Sequence, residues 1–177
     1  MIYRIHQVIF FIIILGFLSC GNKKHVGETN KLNQNQVTEK LLEANKAAVE
    51  VENSQIDKLI DSSGWNMLKT ATGLRYEIIE KGNGPMAETG KIARLEYETQ
   101  LITGEIIYSS KQSGPKEFRI GSGGVESGLE EGILLLKVGD KARFVIPSFL
   151  AHGLSGDQDR IPPKATLILT LKLIDLK

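Results

Sequence analysis

The pattern of hydrophobic and polar positions divides this chain into four stretches. Val8 to Leu18 is an almost unbroken apolar run of eleven residues, with Arg4 ahead of it. A membrane-spanning helix needs about 20 apolar residues, so this run has the length of the core of a secretory signal peptide. Residues 21–36, GNKKHVGETNKLNQNQ, then offer only Val26 and Leu32 for burial. That little apolar surface cannot offset the entropy of ordering, and residues 20–36 are expected to form a flexible tether.

Residues 37–63 contain no Gly or Pro and are rich in Leu, Ala, Glu and Lys, which predicts a helix. Leu42, Val49 and Ile56 recur every seven residues, with Leu41, Leu59 and Ile60 nearby, but Asn45, Glu52 and Asn53 interrupt the stripe. Two readings stay open. The helix packs lightly on its own domain or acts as a stiff spacer, or it is a dimerisation or partner helix.

From residue 70 the period falls to two. Leu74, Tyr76 and Ile78 alternate with Arg75 and Glu77, and Gly82-Asn83-Gly84-Pro85 turns the chain. Over 92–102, Ala93, Leu95, Tyr97 and Leu101 fall on one face and Arg94, Glu96, Glu98 and Gln100 on the other, a half-buried antiparallel strand. Further strands are expected at Ile106 to Ser109, Glu117 to Ile120, Lys141 to Pro147 and around Leu167 to Leu173. Between them, residues 126–137 place Leu129, Ile133 and Leu136 at helical spacing, one short helix ended by Val138-Gly139-Asp140. An antiparallel sheet whose apolar face is covered by one short helix, preceded by an N-terminal helix, is an α+β architecture.

Composition narrows the chemistry. The 177 residues carry 22 Lys and Arg against 21 Asp and Glu, a net charge of +1, which argues against a broad nucleic-acid footprint. A single cysteine excludes an intramolecular disulfide, and the histidines at 6, 25 and 152 are too dispersed for a local metal motif. That one cysteine closes the sequence Phe17-Leu18-Ser19-Cys20, which resembles the lipobox of bacterial lipoproteins, with Phe17 in place of the usual Leu. The resemblance implies a signal peptide over 1–19 and acyl chains on Cys20. These would hold the protein to a membrane of the bacterial cell envelope, facing the periplasm, without a spanning helix.

Residues 70–177 resemble the FK506-binding-protein (FKBP) family of peptidyl-prolyl isomerases. Several pieces carry this in order. They are Thr72-Gly73-Leu74-Arg75-Tyr76 with the turn at 82–85, Gly104 followed by Tyr108-Ser109-Ser110, and Gly128-Leu129-Glu130-Glu131-Gly132. Val138-Gly139-Asp140-Lys141-Ala142, Ile146-Pro147-Ser148 through Leu150-Ala151-His152-Gly153, and Ile161-Pro162-Pro163-Lys164-Ala165-Thr166-Leu167 complete the set. The resemblance implies an antiparallel, twisted sheet wrapped on the short helix. It also implies isomerisation of Xaa-Pro bonds, needing no cofactor and no metal, in unfolded or exported polypeptides.

In that family a proline ring enters an aromatic-lined pocket and a backbone N–H holds a substrate carbonyl. Carried over residue by residue, Tyr97, Tyr108, Glu126 and His152 stand at catalytic positions. Ile107, Val125, Leu129, Ile161 and Leu169 stand at substrate-binding ones. Tyr97, Val125 and Ile161 match the family pattern, although Tyr97 also reads as a core tyrosine. Ile107 replaces a Phe, Tyr108 an Asp, Leu129 a Trp, His152 a Tyr and Leu169 a Phe, while Glu126 replaces an apolar residue but still offers its N–H. These departures imply a more aliphatic pocket lacking one carboxylate, weak or altered activity, and poor binding of the family's macrolide drugs. His152 is either a hydrogen-bond donor to substrate or a tolerated rim residue. A catalytically weak chaperone or binding module is the alternative. The lipobox and the Gly104–Ser109 stretch also loosely resemble FKBP-like lipoproteins of gliding bacteria, so an accessory of a motility or secretion machine is a third reading.

Overall fold

A computed structural model describes residues 33–177. The expected leader 1–19, Cys20 and most of the tether lie outside the described residues. The chain divides into two units, one through Glu43 and one from Ala44 to Lys177; the sheet belongs to the second.

Helix α1 spans Gln34–Ser63, beginning three residues before the expected start at 37 and taking in the end of the expected tether. The reason is a cap at Asn33. Its Oδ1 accepts from the Asn35 N–H at 3.4 Å, and its own N–H donates to Gln36 Oε1 at 3.3 Å, the reciprocal arrangement of a capping box. The helix ends at Gly64, whose φ of +65° lets the Trp65 N–H turn back to the Ile60 carbonyl at 3.2 Å.

Strand β1 is Leu68–Lys69, β2 Arg75–Glu80, β3 Ile92–Leu101, β4 Ile106–Ser109, β5 Lys116–Arg119, β6 Lys141–Ile146 and β7 Leu167–Leu176. The sheet runs β1-β2-β6-β7-β3-β4, antiparallel throughout, and β5 also pairs with β3. Strands β4 and β5 share one edge of β3: β4 takes residues 98–100 and β5 takes 92–95. A one-turn helix, α2 (Ser110–Ser113), makes the break between them, with the Ser109 hydroxyl accepting from the Lys111 N–H. The one cover helix expected over 126–137 is α3, Ser127–Ile133. It stops four residues early. Its last turn tightens through Leu135 N–H to Gly132 C=O and Leu136 N–H to Ile133 C=O. Buried Asp140 then takes the Lys137 N–H at 2.8 Å and the Gly82 N–H at 2.6 Å and turns the chain into β6.

Both faces of the sheet are covered. On one, Ala93, Leu95, Ala142, Phe144, Ile146, Leu167, Leu169, Leu171 and Leu173 pack with Leu129, Ile133 and Leu136 in the main core. On the other, Val145 and Ile168 meet Ile56 of α1, with Leu59, Ile60, Trp65 and Met67 around them. Ile56 is fully buried, while Leu41 and Leu42 are more than half exposed. Arg75 alternates with apolar Leu74 and Tyr76, yet it is buried, only 2% exposed. Its guanidinium donates to Asn53 Oδ1 and Asp57 Oδ1 of α1, each at 2.8 Å, and to the Gly73 carbonyl at 2.7 Å. A buried charge persists only when paired and hydrogen-bonded, and α1 supplies the partners.

Gly128 and Gly132 decide how closely α3 lies on the sheet. A Cβ at Gly132 would sit 2.7 Å from Phe144 Cε1 and 3.0 Å from Cζ, and one at Gly128 would overlap Ile146 Cγ2. Alanine in a helix interior normally gains about 1 kcal/mol over glycine. Here overpacking against fully buried β6 side chains, about 1–3 kcal/mol, opposes it. Gly132→Ala is therefore expected to lower stability, by up to about 2 kcal/mol in urea denaturation. A stabilised Gly132→Ala protein would contradict the close packing.

Candidate functional site

Helix α3 and the loop before it set the site. Glu130 reaches back from α3: one carboxylate oxygen accepts the Gly121 N–H at 2.6 Å, the other the Gly123 N–H at 2.9 Å. This fixes the 121–124 loop that delivers Val125 and Glu126 to the start of α3. The Glu126 carbonyl accepts from Leu129 and Glu130. Its own N–H has no acceptor among the described residues, as expected of a donor at a helix start. The Glu126 side chain does not cap the helix but lies 3.0 Å from His152 Nε2.

A small recess opens at this point, lined by Leu95, Tyr97, Thr99, Lys116, Glu126, Leu129, Ile146, Leu167 and Leu169. Of the residues singled out in the sequence, Tyr97, Glu126, Leu129 and Leu169 form its wall. Ile107 and Ile161 are buried in the core that includes Leu129 and Leu169, and Tyr97, Tyr108 and Val125 pack against that core. His152 joins through Glu126. Four of the nine thus line the recess, and the other five do not: Ile107 and Ile161 are core residues, Tyr108 and Val125 pack against the core, and His152 touches Glu126. The recess holds only about 10 Å³ of free volume, about the least that admits one water molecule. The Lys116 ammonium lies 5.3 Å from the centre of the Tyr97 ring, a cation–π contact across the opening.

Three contributors were not legible as site residues. Lys116 is one. Asp157 is the second, a carboxylate that meets Tyr108 from a different loop. Its Oδ2 accepts from the Tyr108 hydroxyl at 2.5 Å, and its Oδ1 from the Ile161 N–H at 2.7 Å and the Asp159 N–H at 3.0 Å. The Arg160 guanidinium lies 5.5 Å from the centre of the Tyr108 ring. The acid pair Asp157 and Asp159 just before Ile161-Pro162-Pro163 was the available signal. Glu52 on α1 is the third, bonded to Ser148 and Thr166. There are two larger hollows, the first of which shares Tyr97 with the recess. One, of about 570 Å³, is lined by charged residues including Glu96, Glu98, Lys111 and Lys172. The other, of about 630 Å³, is lined by Val49, Glu52, Phe149, Leu154, Pro162 and Pro163 among others.

Comparisons with known proteins identify the family. The family model described as FKBP-type peptidyl-prolyl cis-trans isomerase matches residues 84–174, and the chain belongs to that family. The probable FKBP-type peptidyl-prolyl cis-trans isomerase FkpA of Neisseria meningitidis is 42% identical over 108 residues, 60% of this chain and 39% of its own length. The crystal structure of FkpA from Escherichia coli matches with a TM-score of 0.59 at 29% identity, over 83% of this chain and 74% of that one. A peptidyl-prolyl cis-trans isomerase of Pseudomonas syringae matches with a TM-score of 0.63 at 29% identity, over 75% and 95%. This chain spans well under half the length of the first curated relatives, 39% of the Neisseria protein and 28% of FK506-binding protein 4 of Dictyostelium discoideum.

The Tyr108–Asp157 contact titrates in a defined sense. The hydrogen bond to Asp157 is the main cause that pushes the Tyr108 hydroxyl up to about 12. Burial pushes the Asp157 carboxyl up, but the bonds from Tyr108, Asp159 and Ile161 outweigh it and hold the group at about 2. The lowered carboxyl stabilises the fold above its ordinary value of 3.8, and that contribution is lost as pH falls toward 2. The raised hydroxyl contributes below 10 and its share is lost as pH rises through about 12. Tyr108→Phe is expected to move the Asp157 carboxyl upward in a carbon-13 NMR titration. An unmoved Asp157 would show that the hydroxyl does not hold it.

Proposed function

We propose that this chain catalyses cis–trans isomerisation of Xaa-Pro bonds in exported polypeptides, held to the periplasmic side of a cell-envelope membrane by acyl chains on Cys20. The observation that carries the catalytic part is Glu126, whose N–H has no acceptor among the described residues, on the lining of an apolar recess with Tyr97, Leu129 and Leu169. Family membership supports the reaction. The lipobox-like Phe17–Cys20 supports the anchor and, with the apolar run before it, export.

The chemistry fits such a site. The Xaa-Pro bond interconverts over tens to hundreds of seconds because twisting it breaks amide resonance, a barrier of about 18–20 kcal/mol. No bond to the enzyme forms and no proton has to move. The planar amide is the more charge-separated form, so apolar walls disfavour it relative to the twisted one. A backbone donor fixes a neighbouring carbonyl so that rotation proceeds against a held frame. Each 1.36 kcal/mol of preference for the twisted amide is worth a factor of ten in rate. Leu129 and Leu169 supply walls without ring-to-ring contact, so Tyr97 is the aromatic surface on the wall. The Glu126–His152 pair and Lys116 place polar groups at the opening.

A second reading has its own support. With about 10 Å³ free, the recess takes a prolyl ring only after side chains move. A binding module that holds chains elsewhere would have no need to open it. Exchange NMR on short Xaa-Pro peptides separates the two. Acceleration over the uncatalysed rate is expected. Glu126 has φ of −56°, which proline adopts, so Glu126→Pro removes the N–H with little backbone change. That variant is expected to lose about tenfold in kcat/KM, whereas Glu126→Gln, which keeps the N–H, should stay within about threefold. Full activity in folded Glu126→Pro would refute the donor role. No acceleration by the folded wild-type protein would leave the binding module as the better reading.

The anchor has a separate test. In cells fed a labelled fatty acid, the wild-type chain is expected to carry label and sediment with membranes, and Cys20→Ala to do neither. Label retained in Cys20→Ala would remove Cys20 as the acceptor.

A further inference from the structure

We infer that Glu52, on the N-terminal helix, is a positioning residue for the rim of the prolyl site, acting through Ser148 on His152. The inference rests on the reading of the recess given above. Glu52 is separated from its partners by 96 and 114 residues, so the contact is made only by the tertiary fold. Its Oε1 accepts from the Ser148 N–H at 2.6 Å and from the Thr166 hydroxyl at 2.6 Å, and its Oε2 accepts from the Ser148 hydroxyl at 3.0 Å. Hydrogen bonds to an ionised carboxylate are about twice as strong as neutral ones. One side chain of α1 therefore clamps two segments of the sheet domain.

Ser148 is the hub of the loop that follows β6. Its carbonyl accepts from the Ala151 N–H at 3.1 Å and the Gly153 N–H at 2.8 Å, the residues on either side of His152. The Gly153 carbonyl in turn accepts from the Lys164 N–H at 2.8 Å. Glu52 thus holds the amide of the peptide unit next to the carbonyl that ties down both flanks of His152. On the far side, His152 Nε2 meets Glu126 Oε1, and the Ser127 hydroxyl reaches the Leu150 carbonyl at 3.2 Å, so the loop is held against the start of α3. Thr166, the other partner of Glu52, directly precedes Leu167 on the wall of the recess. The helix therefore does more than cover the second face of the sheet. It sets the height of the rim over the proline recess.

The test compares Glu52→Ala with Glu52→Gln in the full chain. Glutamine keeps an oxygen acceptor for the Ser148 and Thr166 donors; alanine keeps none. In Glu52→Ala the His152 ring resonances and the amides of 148–153 are expected to shift, and Gly153 amide exchange to speed by about tenfold or more as its local protection falls. The kcat/KM on an Xaa-Pro peptide, per folded molecule and well below the melting temperature, should fall about fivefold, and Glu52→Gln should restore it to within about twofold. A purely structural residue would lower the melting temperature and leave the rate of the folded fraction and the His152 resonances unchanged; that result would overturn the inference. So would a Glu52→Gln protein as impaired as Glu52→Ala. If the wild-type chain shows no isomerisation, the isomerase reading alone fails. The His152 shifts and Gly153 exchange still decide whether Glu52 positions the rim.

Discussion

The site depends on two missing side chains. Gly128 and Gly132 lie on the face of α3 that meets β6, and neither has room for a Cβ against Ile146 or Phe144. With the helix that close, Leu129 and Glu126 line one recess together with sheet residues, and the Glu126 N–H has no acceptor among the described residues. A larger residue at either glycine would lift the helix, and protein interiors are too densely packed to absorb such a shift locally. The Gly-Leu-Glu-Glu-Gly sequence is thus one device with three parts. The glycines set the distance, the leucine fills the floor, and Glu130 holds the incoming loop by two backbone N–H groups.

The other face of the sheet follows a different logic. Arg75, Val145 and Ile168 lie there, and α1 covers them with Ile56, Asn53 and Asp57. Beside them, Arg143 stacks over Trp65 at 4.3 Å from the ring centre and pairs with Glu77. The helix matters to the site because Glu52 lies on the same docked stretch and bonds to the loop bearing His152. The two faces therefore meet at the rim: α3 supplies the donor and α1 supplies the clamp.

How much of this was legible in the sequence follows from the range of each interaction. The strands through Leu95 and Tyr97, through Ala142, Phe144 and Ile146, and through Leu167 to Leu173 could be read because alternate burial is a local pattern. The same pattern is silent on the burial of Arg75, a charge at the polar parity whose partners lie on α1. Val145 and Ile168, apolar at that same parity, were the overlooked sign that the second face is covered. The start of α1 was missed because Asn33 and Gln36 lie in a polar stretch where a cap looks like linker. Of the nine residues singled out by motif, Tyr97, Glu126, Leu129 and Leu169 line one recess beside α3. Asp157 was missed because its partner Tyr108 is 49 residues away. Where the family resemblance places an Asp, Tyr108 instead donates to a carboxylate of the 157–160 loop.

The site has the parts an uncatalysed amide rotation lacks: apolar walls, an aromatic face and a fixed donor. It is also nearly closed, with about 10 Å³ free, and Lys116 rests against the Tyr97 ring on its lining. The central claim is that the proline-bearing chain binds at the start of α3 through the Glu126 N–H. The most direct measurement is an amide proton–nitrogen NMR titration of the protein with a short Xaa-Pro peptide. The expected result is a large downfield shift of the Glu126 amide proton, with changes at Tyr97 and His152 as the recess opens. Shifts confined to Val49, Phe149 and Leu154 around the larger apolar hollow, with Glu126 unmoved, would contradict it.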